Sequence, residues 1–165
     1  MKIIIAPFGG LVGAVLGGIL WAKYIQWTGS TFGFIAVCIG AFTGIGMLLT
    51  CVNAIDADEK MHWLLVSIGA AIFAVVGIFV GKYLDVHWNA IAQMTEQYMQ
   101  DRDLTEEQAV PIVKNLYYGS PKFELMKNRM EWFDLIFGTI AVIVAFYITF
   151  NPRIRNITNK LVGNR

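Results

Sequence analysis

The sequence predicts an all-α integral membrane protein with four transmembrane helices and an extracytoplasmic helical extension between the third and the fourth. Its 165 residues are 56% hydrophobic and only 15% charged, whereas soluble domains carry about 25% charged residues. Four apolar segments each approach the about 20 residues that a helix needs to cross a hydrocarbon core about 30 Å thick. None of them has an Asp, Glu, Lys or Arg near its middle. Because lipid cannot satisfy backbone hydrogen bonds, these segments must be helices rather than open strands. The segments are 3–22, 31–52, 63–81 and 132–150.

The first segment begins like a signal peptide, with Lys2 ahead of an apolar stretch. No small-residue cleavage site follows Trp21, where the sequence reads WAKYIQW. We therefore expect a retained transmembrane helix.

Small residues recur at a spacing of four along the first three segments. Small side chains allow close backbone approach, which membrane helices need because association in lipid has little hydrophobic driving force. We therefore predict a three-helix core over 1–82, with the fourth helix (132–150) more peripheral because it has fewer small residues. A seam between subunits or a pore lining is the alternative use of these faces. The predicted packing residues are Gly9, Gly13 and Gly17 on one track of the first helix, Gly10 and Gly18 on the adjacent track, Gly33, Gly40 and Gly44 in the second helix, and Gly77 and Gly81 in the third.

Residues 9–46 read GGLVGAVLGGILWAKYIQWTGSTFGFIAVCIGAFTGIG. This stretch resembles a glycine-rich transmembrane hairpin of uncharacterised bacterial inner-membrane proteins, with small residues in the first helix, a Thr-Gly turn and Ile-Gly repeats in the second. The resemblance implies a hairpin in a bacterial inner membrane. It implies no activity and no site residues.

Basic residues predict the orientation, because short cytoplasmic flanks are rich in Lys and Arg. The tail at 151–165 contains Arg153, Arg155, Lys160 and Arg165 and no acid, which places it in the cytoplasm. Four spans then put the N-terminus on the same side. Residues 83–131, with eight acids and five bases, would face outward.

The outward segment has a helical pattern of its own. Apolar spacing predicts that the third helix continues through 86–99, and that DRDL ends it. A capping-box pattern from Thr105 to Gln108 starts a second helix that contains Pro111 and ends at Gly119 as a C-cap. Ser120 and Pro121 start a third, which would run through Phe123, Met126 and Met130 into the fourth transmembrane helix. Docking of a partner is favoured over folding back on the protein's own surface, and its candidate residues are Ile112, Val113, Leu116 and Tyr117.

Few polar residues are candidates for a specific role. Asp134 lies near the start of the fourth segment, within reach of Lys82 after the third, and we predict an ion pair because a charge in lipid requires a partner. Asp56, Asp58, Glu59 and His62 could offer ligands to a cation, but a solvated turn before a helix is the favoured interpretation. Cys38 and Cys51 fall on one predicted helix about 20 Å apart, too far for a disulfide.

No motif for catalysis, phosphate binding or zinc binding occurs, so neither an enzyme nor a cofactor is expected. The absence of mid-membrane charges argues against a proton-coupled transporter. We expect a non-catalytic accessory or structural subunit of a larger membrane assembly, in contact with lipid and with a partner membrane protein or a second copy, and not with nucleic acid. The alternative is a small homo-oligomeric channel or transporter with Thr43, Thr50 and Ser67 as polar lining residues.

Overall fold

A computed structural model describes residues 6–29, 34–51, 55, 60–121, 124–125, 127 and 132–162. Within these ranges the chain forms helices and no strands, so the all-α prediction is confirmed. The helices are α1 (Ala6–Thr28), α2 (Phe34–Cys51), α3 (Lys60–Arg102), α4 (Glu106–Gly119), α5 (Trp132–Phe150) and α6 (Pro152–Val162).

Two helices, α1 and α3, are long and apolar enough to cross a membrane. A third qualifies if α5 and α6, which meet at a bend of 63°, are counted as one span. The apolar stretch of α2, Ile35–Cys51, is shorter. Two to three membrane-spanning helices support a membrane protein, while four spans remain a prediction.

The outward surfaces of α1, α2, α3 and α5 carry many large apolar side chains. Soluble monomers rarely expose contiguous apolar surface on this scale, whereas a lipid-facing surface is apolar by necessity. Exposed examples are Phe8, Leu16, Leu20, Ile45, Leu49, Leu65, Ile72, Phe79, Leu135 and Ile143.

The helices α1 and α5 each pack against both α2 and α3. One buried cluster includes Leu48 of α2, Ala74 of α3 and Ala145 of α5. A second joins Trp21 and Ile25 of α1 to residues of α2, α3 and α5. The predicted fourth helix, α5, thus contributes to both clusters and packs in the same core as α2 and α3.

The helix α3 continues without interruption to Arg102, through the predicted 86–99 stretch. It ends before Asp103, whose backbone is left-handed with φ of 52°. The next helix begins after Thr105, whose N–H donates to Oε1 of Gln108 at 3.2 Å, as the capping-box pattern predicts.

The helix α4 extends through Gly119, with Pro111 inside it. Gly119 is thus the last helical residue and not the predicted C-cap; the cap is Ser120, whose N–H donates to the Leu116 carbonyl at 3.1 Å. The Pro121 carbonyl accepts hydrogen bonds from the N–H groups of Glu124 and Leu125, at 3.0 and 3.2 Å. The predicted continuation through Phe123, Met126 and Met130 lies outside the described residues.

Pro152 explains the bend between α5 and α6. Proline has no N–H and its ring crowds the carbonyl four residues earlier, so a helix cannot pass straight through it. The Asn151 side chain instead accepts the Arg153 N–H at 2.9 Å, which makes Asn151 the N-cap and Pro152 the first residue of α6. The sequence analysis had predicted only a basic tail here.

Candidate functional site

The first glycine track of α1 faces α2. A Cβ added to Gly9 would collide with the Gly46 carbonyl, and one added to Gly13 with the Phe42 carbonyl. Gly17 is similarly close, with a built Cβ only 2.9 Å from Cα of Ile39. These glycines therefore allow α1 and α2 to approach backbone to backbone.

The second track of α1 faces α3. A Cβ on Gly18 would lie 2.6 Å from the Gly77 carbonyl oxygen and 3.0 Å from the Gly81 nitrogen. A Cβ on Gly77 would lie 2.8 Å from the Ala14 carbonyl oxygen. Gly10, on the same track, lies close to both neighbours, Met47 of α2 and Phe73 of α3. The two predicted tracks thus pack against two different neighbours.

Two glycines of α2 approach α5 instead. A Cβ on Gly40 would collide with the Ala141 carbonyl, and one on Gly44 would lie 3.0 Å from Cβ of Ile148. Gly33, the other predicted packing residue of the second helix, lies outside the described residues.

A buried ion pair joins α3 to α5. Lys82 Nζ donates to Asp134 Oδ2 at 2.7 Å, and each side chain is only 5% exposed. One turn further along α3, Asn89 Nδ2 donates to Asp85 Oδ1 at 2.8 Å, and both residues are buried. This second pair was not predicted from the sequence, although positions three and seven after Lys82 lie on the same helix face.

The hydroxyls proposed as a channel lining are satisfied within their own helices. Thr43 donates to the Ile39 carbonyl at 2.7 Å and Ser67 to the Trp63 carbonyl at 2.8 Å. Both residues are fully buried. Thr50 is half-buried and lies within hydrogen-bond distance of the Gly46 carbonyl.

The four candidate docking residues of α4 separate into two groups. Val113 and Tyr117 are buried in the contact between α4 and α3, where Tyr117 packs with Val86 and Ala90. They are therefore not available to a partner in this conformation, because they already hold α4 in place. Ile112 and Leu116 are 41% and 40% exposed.

The exposed pair borders an open groove of about 480 Å³, which it lines together with Asn115, Gly119 and Ser120. We call Ile112 and Leu116 the outer ridge.

Tyr117 also connects α4 to α3 through its hydroxyl, which lies 3.4 Å from Nδ1 of His87. Burial raises the pKa of Tyr117 above its ordinary value, and the neighbouring Tyr118 and Tyr83 raise it further. Burial therefore favours the neutral phenol.

In the part of the chain that the structure describes, no group of three or more His, Cys, Asp or Glu could hold a metal ion. Asp56, Asp58 and Glu59 fall outside that part. Cys38 and Cys51 are both free thiols.

No protein family, curated protein or solved structure matches this chain.

Proposed function

We propose that the protein is a non-catalytic accessory or structural subunit of a larger assembly in the cytoplasmic membrane. The observation that supports this role is the outer ridge. Val113 and Tyr117 already attach α4 to α3, so Ile112 and Leu116 are not needed to fold the helix back. Two apolar side chains at helical spacing beside a groove are typical of a surface that a partner covers.

The placement of this ridge follows from the proposed topology of four spans with cytoplasmic termini. The helix α3 has 43 residues, and at about 1.5 Å per residue it is about 65 Å long, roughly twice a hydrocarbon core of about 30 Å. Its C-terminal half would therefore project from the outer surface and carry α4 with it. A partner membrane protein with an apolar extracytoplasmic patch could contact the ridge.

The alternative, a homo-oligomeric channel, has less support. Fully buried hydroxyls between helices of one chain cannot line a pore between subunits. Thr43 and Ser67 are in this position, and each hydroxyl is bonded to its own helix.

The test is native mass spectrometry of the full chain extracted from its own membrane in mild detergent. We expect a complex of fixed stoichiometry with an unlike chain, and no ion flux when the protein is reconstituted in liposomes. The variant Ile112→Asp/Leu116→Asp should lose the complex, because a buried unpaired carboxylate is costly. Lys114→Asp adds an acid at an exposed position on another face of α4. This variant should retain the complex.

A symmetric homo-oligomer that conducts ions would contradict the proposal. So would equal loss of the complex in the ridge variant and in Lys114→Asp, since the effect would then come from added charge.

A further inference from the structure

The C-terminal helix α6 has an apolar stripe that the described part of the protein covers only at its start. Ile154, Ile157 and Leu161 recur at spacings of three and four, which places them on one helix face. Ile154 packs against a buried cluster of the bundle. Ile157 is 59% and Leu161 79% exposed. The stripe therefore begins in the core and continues outward along α6.

Cations flank this stripe. The helix contains Arg153, Arg155 and Lys160 and no acidic residue. With about 100° of rotation per residue, Arg153 and Lys160 lie along one edge of the stripe, whereas Arg155 lies about 100° beyond Ile154, on the side of α6 that contacts Trp63 of the bundle. An apolar face bordered by Lys and Arg is typical of helices that lie in the interface of a membrane with anionic lipids.

The bend at Pro152 directs α6 toward such an interface. If α5 crosses the membrane, a bend of 63° turns α6 away from the membrane normal and toward the plane of the surface. Tyr147 and Phe150 are exposed at the end of α5, and aromatic rings near the end of a span are typical of the membrane–water boundary.

Two guanidinium nitrogens of Arg155 lack a hydrogen-bond acceptor in the part of the chain that the structure describes. Its guanidinium carbon lies 4.5 Å from the ring centroid of Trp63, at the start of α3. Its Nε and Nη1 are shielded from solvent and have no hydrogen-bond partner among the residues that the structure describes, while Arg155 as a whole is only half-buried. Guanidinium donors pair in two-bond geometry with phosphate and carboxylate oxygens, and leaving such donors unpaired is costly.

We propose that α6 lies in the cytoplasmic membrane–water interface, where Arg155, held against Trp63, binds the phosphate of an anionic phospholipid. The apolar stripe sits among the acyl chains, and Arg153 and Lys160 add a less specific attraction to the anionic surface. The proposal depends on α5 crossing the membrane and is independent of the accessory role.

The experiment titrates the full chain in neutral detergent with phosphatidylglycerol or phosphatidylcholine and counts bound lipids by native mass spectrometry. We expect phosphatidylglycerol to bind more tightly. Arg155→Gln should weaken it at least about tenfold, as loss of a charge-assisted hydrogen bond requires. Arg153→Gln removes the same charge from an exposed position and should cost about fivefold or less. Arg155→Lys should recover part of the loss, because it restores the charge without the planar group.

Equal losses in Arg155→Gln and Arg153→Gln would overturn the assignment, as would equal affinities for the two lipids. Binding of inorganic phosphate in lipid-free detergent, with the same dependence on Arg155, would show an anion site that does not require a membrane.

A second measurement does not depend on the stability of an Arg155 variant. Environment-sensitive labels are placed at Leu161→Cys or Asn156→Cys, both exposed and on opposite faces, with Cys38 and Cys51 replaced by alanine. In vesicles containing phosphatidylglycerol, the label at position 161 should report an apolar environment and the label at 156 water. Water at both positions would contradict the interfacial placement of α6.

Discussion

At the scale of single residues, the contact between Lys82 and Asp134 combines high burial with opposite charge. Replacing a buried ion pair by apolar residues is often neutral, whereas removing one partner leaves an uncompensated buried charge. We predict that Asp134→Ala lowers the free energy of unfolding by about 3–5 kcal/mol, measured as a lower thermal midpoint in detergent.

The matched control is the double variant Lys82→Met/Asp134→Leu, which removes both charges and keeps apolar volume. Its midpoint should lie closer to that of the native protein than to that of Asp134→Ala. A double variant as unstable as the single one would show that the pair itself, and not the orphaned charge, determines the loss.

The raised pKa of Tyr117 predicts that the stability of the folded protein falls at alkaline pH. Its pKa is raised in the folded protein, chiefly by burial, so the folded state holds the proton more tightly than the unfolded state does. The stabilisation is then complete below the unfolded pKa of about 10 and is lost as the pH rises through the folded pKa. Tyr117→Phe should flatten the fall of the thermal midpoint between about pH 9 and pH 11.

Tyr118→Phe is the comparison for this effect, because Tyr118 is exposed on the same helix. It should leave most of the alkaline fall in place. If both variants reduce the alkaline fall of the thermal midpoint equally, burial of Tyr117 is not the cause of that fall.

Between different helices, the sequence predicts specific residue pairs only where a charge in or beside an apolar segment requires a partner. That rule identified Lys82 and Asp134. It could not identify Arg155 and Trp63, because their contact depends on the bend at Pro152, which brings the start of α6 to the start of α3.

At the scale of helices, the glycine tracks set the distances between neighbours. We predict that Gly13→Ala, Gly18→Ala and Gly40→Ala each lower the free energy of unfolding by about 1–3 kcal/mol, the usual cost of overpacking. Each added methyl group would press on a backbone atom of an adjacent helix, and such an atom moves only with its helix. Thermal midpoints in detergent would measure the loss.

Two glycines provide matched controls. A Cβ on Gly138 would make ordinary contact at 3.4 Å with the flexible end of Ile78, and one on Gly119 would meet nothing within 4 Å. Alanine at either position should be neutral or stabilise by up to about 1 kcal/mol, because glycine disfavours helix. Destabilisation of similar size at all five positions would argue against close approach as the role of the tracks.

The spacing of small residues predicted which face of each helix allows close approach, but not which neighbouring helix packs against that face. The contact between α2 and α5 is an example. Gly40 of α2 lies against Ala141 and Gly44 lies close to Ala145, so small residues on both helices allow this approach. The helix α6 was missed although Asn151, Pro152 and the spacing of Ile154, Ile157 and Leu161 are ordinary signs of a helix start and an amphipathic face.

At the scale of the whole molecule, the number of spans depends on α2. Its 18 residues extend about 27 Å, slightly less than a hydrocarbon core of about 30 Å. Yet α2 packs along α1 and α5, the partners on its two sides, and it exposes Ile45 and Leu49 as a lipid-facing helix would. With α2 crossing, the bundle has four spans and both termini on one side; without it, the termini lie on opposite sides.

Labelling of single cysteines in intact cells tests the orientation of the bundle and the crossing of α5, which both topologies share. In a chain with Cys38 and Cys51 replaced by alanine, we predict that a membrane-impermeant maleimide labels Glu107→Cys on α4. Lys160→Cys on α6 should react only after the cells are permeabilised, because basic flanks stay in the cytoplasm. Both positions are exposed in the protein, so burial cannot explain a failure to react. Labelling of position 160 alone would invert the orientation, and labelling of both in intact cells would require an even number of crossings between them, which contradicts a membrane-spanning α5.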